Sequence, residues 1–370
     1  MAKVIIIAGF AKSLINFRGE LINDFIKLGY EVVAMAPEKG FEKELLEIGA
    51  IYRSVPLQRN GMNVFKDIKT LFYLAKILYE EKPSILLLYT IKPVIYGSIA
   101  AKIIKLSSVY SIITGLGYAF TGYSHKRTII SNIVKFLYKI AFSNNKKVFF
   151  QNPDDLELFT RLNLLTVNKT VLINGSGVNT TRFALKKNII QPVSFLLIAR
   201  LVWDKGIAEY VKAARMLKEQ YPEVNFNLLG PFDDGPAGIS QVYVESLVAE
   251  GTIYYLGETN DVRPYIADAS IYVLPSYREG TPRSILEAMS MGRPVVTTDA
   301  PGCRETVKNG FNGFLVPVKD SYALAKAMEY FILNPEQIPI VGARSREIAE
   351  EKYDVRKVNR SIIHAMGLTK

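Results

Sequence analysis

Two doubly wound α/β units in tandem are what this sequence predicts, on three observations. Short apolar runs of strand length alternate with helical periodicity, the signature of a parallel sheet with helices on both faces. The alternation starts afresh near residue 190. The chain's 370 residues exceed one ordinary core and suit two.

The elements follow in order. Lys3–Ala8 reads as a buried strand, Phe17–Leu28 as the helix after it and Glu31–Ala36 as the next strand. Lys66–Glu81 has helical spacing, and Ser84–Tyr89, Val109–Ile113 and Lys147–Gln151 read as strands. Thr181–Pro192 is polar, basic and aperiodic, and reads as a linker. Beyond it come the strand Val193–Ile198, the helix Gly206–Gln220 and the strand Asn225–Leu229. Thr252–Leu256, Ser270–Leu274 and Arg293–Thr297 continue the series. Ligands of such sheets bind beyond the carboxyl ends of the strands.

Composition narrows the class. The single thiol, Cys303, excludes an intrachain disulfide and favours a reducing compartment. Residues 1–10 lack a signal-peptide pattern, and lysines interrupt the longest apolar stretches, so neither a leader nor a spanning helix is expected. The net charge of +11 calls for an anionic partner: nucleic acid, nucleotide or membrane surface. That charge is concentrated: Lys82 through Pro153 holds ten Lys and Arg and no acid.

Three segments carry candidate chemistry. Gly9 ends the first strand, where a glycine lets backbone approach a ligand at a helix N-terminus, or simply makes a tight turn. No full G-x-G-x-x-G follows, so a dinucleotide site is not supported. Arg200 and Lys205, in Ala199–Gly206, stand where such units bind phosphate; taken alone they read more readily as surface charges in a loop. Pro275–Met289 holds Glu279 and Glu287 around Gly280, Thr281, Pro282 and Arg283. Thr281 suits an N-cap and Pro282 the first helical position, so amides near Gly280–Ser284 are expected to face an anion. Asp233-Asp234 reads as a solvated loop rather than a metal motif. Cys303 reads as buried or in a loop rather than as a nucleophile, and Trp203 as partly buried. Arg283 could meet phosphate or sit on the helix surface.

These segments resemble the retaining GT-B glycosyltransferases of the large family four. Leu274–Glu305 is similar to its E-x7-E region and Arg200–Gly206 to its R-L-x3-K-G loop. Asn174–Asn179 with Phe183, and Tyr255–Glu258 with Asp261-Val262, match further signatures. The resemblance implies two Rossmann-like domains facing across a cleft, acceptor half 1–184 and donor half 185–350, with 351–370 crossing back to the first. It implies that Arg200 and Lys205 bind the donor diphosphate, Glu279 the sugar and Glu287 the ribose, with Glu258 and Thr259 near the base. Arg200, Lys205 and Glu279 are the implied catalytic set, and Gly9 and Gly280–Arg283 complete the donor site.

Phe17-Arg18, Lys92-Pro93, Thr114–Gly117 and Phe150–Asn152 resemble a narrower group that extends polyprenyl-diphosphate-linked sugars with N-acetylgalactosamine or N-acetylglucosamine. Asn16, Arg18, Lys92, Thr114 and Gly115 are its implied acceptor residues. One departure stands out: many members carry a first-domain His near the reacting centre, and neither His125 nor His364 fits that place.

The expectation is therefore a bacterial, retaining, metal-independent hexosyltransferase using a UDP-sugar co-substrate and no cofactor. It would be peripheral on the cytoplasmic membrane face through Ser124–Lys147, with no nucleic-acid partner. A GT-B nucleotide-sugar epimerase and a non-catalytic nucleotide-sugar-binding protein are the alternatives.

Overall fold

A computed structural model describes residues 1–58, 63–116 and 125–368, the side chains of 125–127 excepted. Gly117, Ser124 and the side chains of His125, Lys126 and Arg127, all used above, lie outside the described residues. The chain divides into two compact units, Met1–Ser176 with Arg356–Lys370, and Gly177–Val355.

The first unit runs β1 (Lys3–Ile7), α1 (Ala11–Lys27), β2 (Glu31–Ala36), α2 (Glu42–Glu47), β3 (Ile51–Ser54), α3 (Val64–Glu81) and β4 (Ile85–Tyr89). It continues through α4 (Ser98–Ile103), β5 (Val109–Ile113), α5 (His125–Ser143), β6 (Lys147–Phe150), α6 (Pro153–Arg161) and β7 (Thr170–Leu172). All pairings are parallel, in the order β3-β2-β1-β4-β5-β6-β7. The central strands are mostly apolar because both faces are covered. On one face Leu14, Ile22 and Phe25 of α1 and Leu45 of α2 pack against the sheet; on the other Leu74, Leu78, Tyr138, Phe142 and Phe159 do so.

Helix α1 starts six residues before the sequence reading placed it. Glu38 accepts the Ala11 amide at 2.7 Å, and the Ser13 hydroxyl donates to the Phe10 carbonyl at 2.6 Å. A helix start satisfied by an acid 27 residues away carries no local signal.

The second unit runs β8 (Ser194–Ile198), α7 (Ile207–Lys218), β9 (Asn225–Leu229), α8 (Gln241–Ala249), β10 (Tyr254–Tyr255), α9 (Arg263–Ala267) and β11 (Ile271–Leu274). Then follow α10 (Arg283–Ser290), β12 (Val295–Thr298), β13 (Gly313–Val316), α11 (Ser321–Leu333) and α12 (Gln337–Lys352). Its parallel sheet has the order β10-β9-β8-β11-β12-β13. Counted from its own first strand this is 3-2-1-4-5-6, and the switch point lies between β8 and β11.

Thr181–Pro192 is not a free linker. The units part at Ser176/Gly177, and Phe183 belongs to the second core. Arg346 donates to the carbonyls of Thr180 and Phe183 at 3.1 and 3.0 Å. The fully buried Arg293 donates to those of Lys186 and Lys187 at 2.9 and 3.0 Å. Polar composition suggested a loose loop, but two distant guanidinium groups satisfy its backbone and fix it. The last helix, α13 (Val355–Ala365), adds Val358, Ile362 and Ile363 to the first unit's core. Asn359 donates to Asp24 at 2.8 Å, and Tyr110 to the Met366 carbonyl at 3.1 Å.

Candidate functional site

In the second unit the loops leaving the adjacent strands β8 and β11 meet at the switch point. Lys205, from the first loop, donates to the Glu279 carboxylate in the second. Both side chains are largely buried, at 21% and 14% exposure, so the pair is held in a low-dielectric environment with one edge open to solvent. A row of contacts joins the two loops. The Tyr277 amide donates to the Asp204 carbonyl at 2.9 Å, the Ser276 hydroxyl to the same oxygen at 3.2 Å, and the Tyr277 hydroxyl to Glu209 of α7 at 2.8 Å. Behind them Thr297 and Thr298 of β12 donate to the carbonyls of Leu274 and Ser276.

Two glycines make this approach possible. Gly206 has φ of +73°, and a Cβ there would lie 2.0 Å from the Pro275 carbonyl oxygen. Gly302 has φ of +83°, and its Cβ would lie 2.3 Å from that of Glu279. The loop bearing Glu279 thus passes between two backbones that tolerate no side chain.

Arg200 follows β8 and is half exposed. Its Nη1 lies 2.6 Å from Asp233, in the loop after β9. Asp233 also accepts the Gly235 amide at 2.9 Å, which closes a turn. Sequence had read Asp233 as solvated; the structure makes it the counter-ion of Arg200, because β9 lies beside β8 and brings its loop there.

Helix α10 begins at Arg283 with Pro282 at the N-cap position, so Thr281 stands one residue before the cap and Pro282 precedes the first turn. Gly280, Thr281 and Pro282 are buried. Arg283 donates to Glu287 at 2.9 Å, one turn on. Burial pushes the Glu287 carboxyl up from the usual range, with Arg283 pulling against it. Thus Arg200, Lys205 and Arg283 each carry a carboxylate partner, and an arriving anion must share or displace it.

Glu258 and Thr259 follow β10, two strands from β8. Glu258 is exposed. The Thr259 hydroxyl accepts the Asp261 amide and donates to the Asp261 carbonyl, both at 3.1 Å, so it closes a local turn. Asp261 is gripped by Arg263 at 2.7 and 2.8 Å, which lowers its pKa to about 2. Cys303 is buried, and that burial together with the Glu279 charge pushes its thiol up to about 12, the opposite of a nucleophile. Trp203 is part exposed and packs on Tyr243.

In the first unit Gly9, Lys92, and Thr114 with Gly115 follow the neighbouring strands β1, β4 and β5, at one edge of the sheet. Gly9 is buried, and a Cβ there would meet the Thr90 hydroxyl at 2.5 Å. Its missing side chain makes room for Thr90, which sits at φ of +69°. Lys92 is paired with Asp67 of α3 at 2.7 Å, both largely buried. Arg18 is buried with its guanidinium 5.3 Å from the centre of the Tyr89 ring, and Asn16 is exposed on α1. Sequence did not foresee the Tyr277–Glu209 link or the Asp233 counter-ion.

Replacing Tyr277 by Phe removes the donor to Glu209, whose second oxygen is buried without a hydrogen-bond partner. The expected loss is about 1–3 kcal/mol of stability, read from the denaturant midpoint at unchanged slope.

A family model described as glycosyl transferases group 1 matches residues 192–334, and one described as glycosyl transferase 4-like matches residues 8–152. The chain belongs to these glycosyltransferases and has their GT-B architecture of two Rossmann-like units. Among relatives, it is 28% identical over 355 residues to the N,N'-diacetylbacillosaminyl-diphospho-undecaprenol alpha-1,3-N-acetylgalactosaminyltransferase of Campylobacter jejuni, covering 92% of each chain. It is 26% identical to the UDP-Gal:alpha-D-GlcNAc-diphosphoundecaprenol alpha-1,3-galactosyltransferase of Escherichia coli, over 81% of this chain and 79% of that one. Anabaena HepE in complex with UDP-glucose shares the fold, with a TM-score of 0.80 at 18% identity over the full length of both chains.

Proposed function

We propose that the protein transfers N-acetylgalactosamine or N-acetylglucosamine, with retention, from a UDP-sugar to a polyprenyl-diphosphate-linked saccharide in bacterial glycan assembly. The observation that carries the donor half is the Lys205–Glu279 pair at the switch point with Arg200 beside it. Lys205 and Arg200 stabilise charge on the departing diphosphate, which is the largest service a protein can give this reaction. Glu279 orients Lys205 and accepts from sugar hydroxyls. Glu287, held by Arg283, takes the ribose diol. The two relatives named for undecaprenol-linked substrates support the acceptor class.

Gly9 and Thr114-Gly115, at the strand ends of the first unit, are proposed to face the acceptor. Asn16 and Lys92 are proposed to act beside them, Lys92 through its Asp67 pair. The basic stretch after residue 124 is proposed to lie against an anionic membrane surface.

The test is a screen of UDP- and GDP-sugars against a short-chain polyprenyl-diphosphate sugar. Transfer from a UDP-N-acetylhexosamine is the expected result, and UDP-sugar epimerisation without acceptor would favour the epimerase reading. Activity should persist in EDTA, since the protein's own cations occupy the Lewis-acid role. Loss in EDTA restored by magnesium or manganese would overturn this. Glu287→Ala should raise the donor KM about tenfold or more while turnover changes less, because a ribose contact is made equally in ground and transition states.

A further inference from the structure

Two helices of the first unit carry apolar side chains that none of the described residues covers. On α3, Val64, Phe65, Ile68 and Phe72 are exposed, Phe65 at 86% and Phe72 at 65%. At helical spacing they form one stripe, roughly 100° wide, beside the face that buries Leu74, Ile77 and Leu78. On α5, Ile129, Ile133 and Phe136 recur one and two turns apart, with Ile129 and Phe136 each 63% exposed. This second stripe points away from the buried Tyr138, Ala141 and Phe142.

Both helices pack against the segment Pro93–Ile103, on the same face of the sheet. Each follows a strand and runs back antiparallel to it, so the N-terminal turns, where the stripes begin, lie at the carboxyl edge of the sheet. Gly9 and Thr114 lie at that edge.

We infer that the two stripes form one docking surface that enters the apolar boundary of an anionic lipid bilayer. The charge around them selects this occupant. Exposed Lys66, Lys69 and Lys76 border the α3 stripe, and Lys135 and Lys139 border that of α5. The only acid of α3 before Glu80 is Asp67, buried and paired with Lys92. A second copy of the chain would set these lysines against themselves, whereas anionic headgroups neutralise them while the aromatic rings pass below. Exposed aromatic and aliphatic side chains clustered in this way mark interaction surfaces. The inference deepens the lipid-linked acceptor reading and rests on it for the choice of a bilayer over a soluble partner. It adds hydrocarbon contact and a second helix to an attraction that charge alone would supply.

The test is co-sedimentation of the full chain with phosphatidylcholine vesicles, with and without phosphatidylglycerol. Comparison is with Phe65→Ser/Phe72→Ser and Ile129→Ser/Phe136→Ser. Each pair should weaken partition into anionic vesicles about tenfold or more at an unchanged melting temperature. Wild-type binding by both variants would overturn the inference. So would a wild type that ignores vesicles but forms dimers that these substitutions break.

A second reading does not depend on partition strength. Cys303 is buried, so a polarity-sensitive thiol dye on Phe72→Cys reports from that position. Its emission should shift to the blue with anionic vesicles, and an unchanged spectrum contradicts insertion. Neither measurement uses donor or acceptor. Vesicle binding without sugar transfer refutes the transferase reading alone; transfer to a short-chain acceptor without vesicle binding refutes this one alone.

Discussion

Lys205→Ala is expected to cut turnover by about two to three orders of magnitude, roughly 2.7–4 kcal/mol of transition-state stabilisation. Two losses combine. The departing diphosphate loses a point charge held where β8 and β11 part, and Glu279, largely buried, loses its cation. Arg200→Ala should reach the lower end of that range. Arg200 is half exposed, and Asp233 already takes one nitrogen of its guanidinium. Initial rates at saturating donor, with the melting temperature as a control for folding, measure both. Near-normal turnover in both variants would remove the diphosphate role from this loop.

Gly302→Ala should unfold the site rather than merely weaken it. The residue sits at φ of +83°, and the added methyl would meet the Glu279 carbonyl oxygen at 2.3 Å and that of Gly280 at 2.5 Å. A left-handed conformation alone costs an ordinary residue about 1–2 kcal/mol. Relief of the clash can come only by moving the backbone that carries Glu279. A loss of about 2–4 kcal/mol is expected, a melting shift on the order of 5–15 °C for a unit of this size, with activity falling further than stability. Gly206→Ala should behave alike, since its methyl would strike the Pro275 oxygen. By contrast Gly29→Ala, at a similar φ of +87° but with nothing within 4 Å of the added carbon, should show only the conformational part. Comparing the three melting temperatures separates strain from collision.

Strand periodicity made the sheets legible because their central strands are buried on both faces and so read as unbroken apolar runs, as in Ile85–Tyr89. The edges were not. β3 with Arg53, and the short β7, carry too little pattern to separate from loop, and β10 shrinks to Tyr254–Tyr255. Helix α1 was cut short because its N-terminal donor is satisfied by Glu38, far along the chain.

In the site, sequence named Lys205 and Glu279 by their places after strands, and the neighbouring strands β8 and β11 bring them together. It could not see the lateral partners. Asp233, Glu209 and Asp67 reach Arg200, Tyr277 and Lys92 across gaps of 33, 68 and 25 residues. Glycines 206 and 302 were visible as letters, but their necessity lies in opposing carbonyl oxygens that only the fold supplies. Arg18, implied to contact acceptor, is buried with its guanidinium over the Tyr89 ring, a setting its place in the sequence did not show.

The most direct test of the central claim is the anomeric configuration of the product. UDP-N-acetylgalactosamine and UDP-N-acetylglucosamine, both α-configured, are incubated in turn with the protein and a short-chain polyprenyl-diphosphate sugar, and the new linkage is read by NMR. The proposed retaining transfer predicts an α-linked product from one of them, and its dependence on the donor site predicts that the product is lost in Lys205→Ala. A β-linkage, or no new linkage from either donor, would contradict it.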